Sequence, residues 1–154
     1  MEWVINWTFL ILSLGILFYW IRNPPFKDWP LVFFSTGYVS IILAVVLVEK
    51  GWFSFPVRFF SEHFQSSILY EYMILPVISV FYNSTTYVSK TKGIIVQAIL
   101  YSIPLTVLEY LMERHSDLIE YHKWTLVHTF ITLILLFISI RYLIAFLRNL
   151  TDHK

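Results

Sequence analysis

The chain has 154 residues, of which 58% are hydrophobic and 14% charged, and its mean hydropathy is +0.68. That apolar share exceeds the roughly half expected of a soluble globule, so lipid is the expected solvent. A formal charge of +1 offers nothing to nucleic acid, and with no cysteine there are no disulfides, thiolate nucleophiles, iron–sulfur clusters or thiolate-held zinc.

A bilayer core about 30 Å thick needs roughly 20 helical residues. Five apolar runs come close to that length, at 3–21, 30–48, 67–83, 94–112 and 124–147. They predict an all-α integral membrane protein, a bundle of five transmembrane helices forming a single domain over 1–154. The first run opens Met-Glu-Trp, with no basic region ahead of it and no small-x-small site before Arg22. It is therefore expected to stay as a helix and not to be cleaved as a signal peptide. RNPPFKDW, 22–29, reads as a compact turn, because paired prolines remove donors and push the preceding residue out of helical geometry. Pro30 then falls where a first-turn proline is tolerated.

Between the second and third runs lies FPVRFFSEHFQ, 55–65, too short to cross. Arg58, Ser61, Glu62 and Gln65 recur at intervals of three and four, with Val57, Phe59, Phe60 and Phe64 filling the other side. This pattern predicts a short interfacial helix, with a loop carrying aromatic anchors as the alternative. NSTTYVSKTKG, 83–93, is the most polar connection and reads as a loop. Pro76 and Pro104 each free a carbonyl inside a run, which neighbouring helices, hydroxyls or water must satisfy.

Orientation follows from Lys and Arg. With the amino terminus outside, Arg22, Lys27, Lys90, Lys92, Arg141, Arg148 and Lys154 fall inside, and only Lys50, Arg58, Arg114 and Lys123 fall outside. The expected location is a bacterial cytoplasmic membrane, amino terminus out and carboxyl terminus in. Arg141 reads as a residue snorkelling toward the inner interface.

The stretch from Pro104 to His128 carries the candidate chemistry. Five antiparallel spans bring the end of the second, the start of the third, the end of the fourth and the start of the fifth to one side. Those ends hold Glu49, Glu71, Glu109 with Glu113, and His128. On the fourth span Ser102, Thr106, Glu109 and Glu113 form one stripe at 100° per residue; on the fifth, Thr125, His128, Thr132 and Ser139 form another. Tyr72, Pro76, Ser79 and Asn83 line the third, with Glu71 at their edge. Ionisable groups inside a span cost about 2.5 to 3.5 kcal/mol on insertion scales, so Glu71, Glu109 and His128 are the candidate site, with Glu109 and His128 expected to meet.

That site suits a pocket for a lipid or other apolar small molecule, in which Glu109 serves as an acid and His128 accepts or relays its proton. Whether the protein is an enzyme stays open. The alternatives are a proton-coupled transporter or sensor and a noncatalytic accessory subunit, with a homodimer or a membrane-protein partner. No cofactor and no metal are expected: HExxH is absent, and Glu113 and His115 do not share a helix face.

RNPPFKDW, LYEYMILP in the third span, and LEYLMER followed by YHKWT before the last resemble an uncharacterised family of small polytopic membrane proteins from Gram-positive spore-forming bacteria. The resemblance implies a bacterial cytoplasmic membrane and no assigned activity.

Overall fold

The computed structural model describes residues 1–60, 62–63 and 66–152, without the side chain of Asp152. Long helices dominate: α1 (Glu2–Arg22), α2 (Trp29–Glu49), α3 (Leu75–Thr85), α4 (Thr91–His115) and α5 (Leu126–Asp152). Four of them, α1, α2, α4 and α5, are long and apolar enough to cross a bilayer. Their outer surfaces carry exposed Val4, Phe18, Phe34, Val107, Leu135 and Phe146, an arrangement stable only in lipid. The protein is a helical membrane bundle.

A π-helical stretch, Tyr70–Ile74, runs directly into α3, and the Leu75 N–H reaches back five residues to the Tyr70 carbonyl. Pro76 gives the physical reason. Its ring clashes with the carbonyl four residues back and it has no N–H to donate, so the turn before it widens.

The combined segment is the most buried part of the chain, packed against α1, α2, α4 and α5. Small and polar residues let it sit close to α2: Thr36 donates to Ser79 Oγ at 2.9 Å, and a Cβ at Gly37 would lie 3.3 Å from the Tyr72 ring. Further along, Tyr82 stacks on Phe137 of α5 with ring centroids 5.3 Å apart and donates its hydroxyl to the Ile94 carbonyl.

α4 and α5 form the antiparallel hairpin that their short connection requires. On α4 the inward row is Ala98, Ser102, Leu105 and Glu109. On α5 it is Thr129, Leu133, Leu136, Phe137, Ile140 and Ile144. Arg141 does not snorkel. It is 7% exposed and donates to the Thr86 and Tyr87 carbonyls at 3.1 and 3.0 Å, where α3 ends. A cation at a helix C-terminus meets carbonyls that lack intrahelical partners, and this capping holds it inside.

The segment expected to form an interfacial helix behaves differently where it is described. Ser61, Phe64 and Gln65 lie outside the described residues; residues 55–60 run through bends and turns, with Phe60 at φ 58°. Just before it lies a small antiparallel ribbon, β1 (Phe53–Ser54) against β2 (Glu120–Tyr121), pairing Phe53 with Tyr121 and Ser54 with Glu120. Phe59 reaches α1, meeting Trp3 and Trp7 edge-on at 5.4 and 5.3 Å.

The ribbon is launched by Gly51, whose φ of +65° ends α2 with the Trp52 N–H on the Leu47 carbonyl and the Gly51 N–H on the Val48 carbonyl. The Trp52 carbonyl then accepts from the N–H groups of His122, Lys123 and Trp124 at 2.9–3.0 Å, tying the two connections together. Gly51→Val forces a branched side chain into the left-handed region and is expected to cost about 1–2 kcal/mol in equilibrium unfolding. An unchanged midpoint would show that this turn does not need its geometry.

Candidate functional site

Where the ribbon meets the helix ends, Glu109 is 6% exposed and is surrounded by hydroxyls. Tyr70, Tyr121 and Thr129 donate to its carboxyl at 3.2, 2.5 and 2.8 Å. Three different elements supply them. Tyr70 opens the π-helical stretch, Tyr121 is placed by the register of β2 against Phe53, and Thr129 sits in the first turns of α5. The Trp124 indole N–H donates to Thr129 Oγ1 at 2.7 Å, leaving the threonine proton for Glu109. The carboxyl is therefore fixed in position as well as buried.

Glu71 is also 6% exposed and, with Glu109, lines a cavity of about 70 Å³. The remaining wall is mostly apolar, with Leu43 and Leu47 from α2, Leu133 and Leu136 from α5, and Phe53 and Phe55 closing the end. Ser40 stands beside Glu71, and its hydroxyl lies 2.8 Å from the Glu71 backbone carbonyl. Among the described residues, none of the lining side chains is basic. Such a cavity, apolar with a few convergent polar groups, has the character of a small-molecule site.

Glu71 and Glu109 come together; His128 does not join them. It is exposed, hydrogen-bonded to Thr125 at 2.7 Å and packed against Trp124 with ring centroids 5.1 Å apart. The expected meeting of Glu109 with His128 is replaced by Glu109 with Thr129, one residue and 100° further round α5. Glu49 is exposed and Glu113 half-buried, and neither lines the cavity. His122 is bonded to Ser54 at 3.2 Å, across the ribbon. Among the described residues no three His, Asp or Glu side chains form a metal-ligand set.

Tyr70, Tyr121, Thr129 and Trp124 were not among the sequence candidates. Tyr70 had a signal, since it adjoins Glu71 in a span whose polar row was already marked. Tyr121 had none, because its position depends on a two-residue ribbon between distant connections.

In that connection, burial and then the adjacent Glu109 carboxyl push the Tyr121 phenol above its ordinary value of 10.0. The folded state thus holds this proton more tightly than the unfolded state. Its contribution to stability is present below about pH 10 and is lost as pH rises beyond it. Unfolding midpoints measured from pH 8 to 11 are expected to fall at the alkaline end, and to fall less steeply in Tyr121→Phe; equal slopes would overturn this assignment.

No protein-family model, curated protein or solved structure matches the chain.

Proposed function

We propose that this is a five-span protein of the bacterial cytoplasmic membrane whose cavity, in the outer half of the bundle, binds a lipid or other apolar small molecule. The observation that carries the reading is the placement of two buried carboxyls, Glu71 and Glu109, on one apolar cavity. Acids are costly there, and polar groups without function are rarely kept at such depth.

The fifth crossing is the π-helical stretch with α3, helical without interruption over residues 68–85 and about 27 Å long at 1.5 Å per residue. Burial among four helices lets so short a span serve. The orientation, amino terminus outside, rests on the Lys and Arg distribution, and the bacterial location rests on the resemblance of RNPPFKDW, LYEYMILP and LEYLMER. Reporters fused after Gly51 and after Thr86, on either side of this stretch, are expected to report opposite sides of the membrane; the same side at both would remove the fifth span.

Proton-coupled transport or sensing is a second reading, favoured by the hydroxyls of Tyr70, Tyr121 and Thr129 converging on Glu109. Mass spectrometry of the purified protein separates the readings. A specific small molecule held by the wild type and lost in Glu71→Gln supports the pocket. Identical small-molecule content in both overturns it, and a co-purifying protein in place of any ligand supports an accessory subunit.

A further inference from the structure

The two carboxyls of the cavity are not equivalent. Glu109 has three hydroxyl donors, two on one carboxyl oxygen and one on the other. Glu71 has one hydroxyl beside it, that of Ser40, whose single proton is shared between the Glu71 side chain and the main-chain carbonyls of Glu71 at 2.8 Å and Gly37 at 3.3 Å. A carboxyl more than nine-tenths buried therefore lines the cavity with one shared donor where Glu109 has three. Among the described residues, no basic side chain lines the cavity to balance it.

Buried acids require donors and, when ionised, a counter-charge. We infer that the cavity takes the protonated primary amine of an amphiphile, with Glu71 as its principal acceptor. This rests on the pocket reading above and names the class of its ligand. An ammonium group brings three donors and one positive charge. Thr132 on the wall offers a further acceptor.

At about 70 Å³ the cavity holds a head of few atoms and not a whole lipid, so the apolar body must leave it. Leu43 marks the route. It lines the cavity and is 41% exposed on the outer face of α2, so the wall it forms reaches the surrounding hydrocarbon. A head seated at Glu71 with its chain passing Leu43 into the bilayer satisfies both halves of such a molecule.

The amine can come from phosphatidylethanolamine or from a free long-chain amine, and the test has an arm for each. The full chain, purified in a neutral detergent, is titrated with dodecylamine, dodecanol and dodecyltrimethylammonium while Trp fluorescence reports thermal unfolding. Dodecylamine is expected to raise the midpoint by several degrees. Dodecanol lacks the charge, and the trimethylammonium compound lacks N–H donors and is bulkier; neither should match it. Glu71→Gln is expected to weaken the dodecylamine response at least tenfold in concentration.

Nanodiscs of phosphatidylethanolamine compared with phosphatidylcholine identify the source. A shift in the former equal to that with dodecylamine assigns a lipid head, and a shift with dodecylamine alone assigns a free amine. If dodecanol shifts the midpoint as much as dodecylamine, the pocket stands and the cation is overturned. If neither shifts it, both are overturned. Equal responses from the trimethylammonium compound, or from a folded Glu71→Gln, reduce the effect to surface charge and also overturn the proposal. Should Glu71→Gln fail to fold, the comparison of the three ligands on the wild type still decides.

Discussion

Glu109→Ala is expected to be among the most destabilising single changes in the half of the bundle that holds the cavity, at about 3 kcal/mol. The substitution leaves the hydroxyls of Tyr70, Tyr121 and Thr129 facing a gap, each having lost its acceptor at 2.5–3.2 Å. An unsatisfied buried donor costs about 1–3 kcal/mol. Hydrogen bonds between helices in a membrane average only about 0.6 kcal/mol, because the unfolded chain in lipid also finds partners. The expected total therefore lies well below three times the upper figure.

Glu109→Gln keeps an acceptor oxygen but brings two amide donors into a shell made of donors, and should cost about 1–2 kcal/mol. Equilibrium unfolding in mixed micelles, followed by Trp fluorescence, gives both values. If Ala and Gln variants agree within about 0.5 kcal/mol, the hydroxyls do not depend on this acceptor. His128→Ala is the contrasting control, since its side chain is exposed and touches Thr125 and Trp124 but not the carboxyl.

Gly37→Leu is expected to be comparably severe, for a different reason. Even a Cβ at this position would stand 3.3 Å from two carbons of the Tyr72 ring and 3.5 Å from Cγ of Pro76. Alanine needs its neighbours to give by a few tenths of an ångström, and the better helix propensity of Ala offsets much of that cost. Leucine has no such room. Overpacking of this kind costs about 1–3 kcal/mol, and the segment it displaces is the π-helical stretch that carries Tyr70 and Glu71.

Two outcomes are therefore expected together: a lower unfolding midpoint in Gly37→Leu, and loss of ligand response in whatever fraction still folds. Gly37→Ala should retain both within about 1 kcal/mol. A Gly37→Leu protein with wild-type stability would mean that α2 and the π-helical stretch can separate without cost, against the contact described.

These expectations rest on features that differ in how far the chain announces them. The long apolar runs and their approximate ends were legible because lipid demands length and apolarity from each crossing on its own, whatever its neighbours are. The inward row of Ser102 and Glu109 on α4 was legible too, since polar spacing at 100° per residue marks a face when the other faces meet hydrocarbon. Arg141 was misread because a cation near a helix end looks alike whether it reaches water or caps another helix; the Thr86 and Tyr87 carbonyls that hold it belong to a remote part of the chain.

The stretch from Pro104 to His128 shows where that legibility stops. Sequence alone determined that an acid, Glu109, would sit near the end of one helix beside the start of the next, because a short connection permits little else. Tertiary structure decided its partners. A helix turns 100° per residue, so a small rotation of α5 exchanges His128 for Thr129, and the hydropathy of either face is too similar to choose between them. The pairing of Phe53 with Tyr121 then brings in a hydroxyl from a connection that carries no periodicity. Glu71 was visible as a costly residue, but its place across one cavity from Glu109 came from the packing of α2, α5 and the widened turn before Pro76, which no single segment encodes.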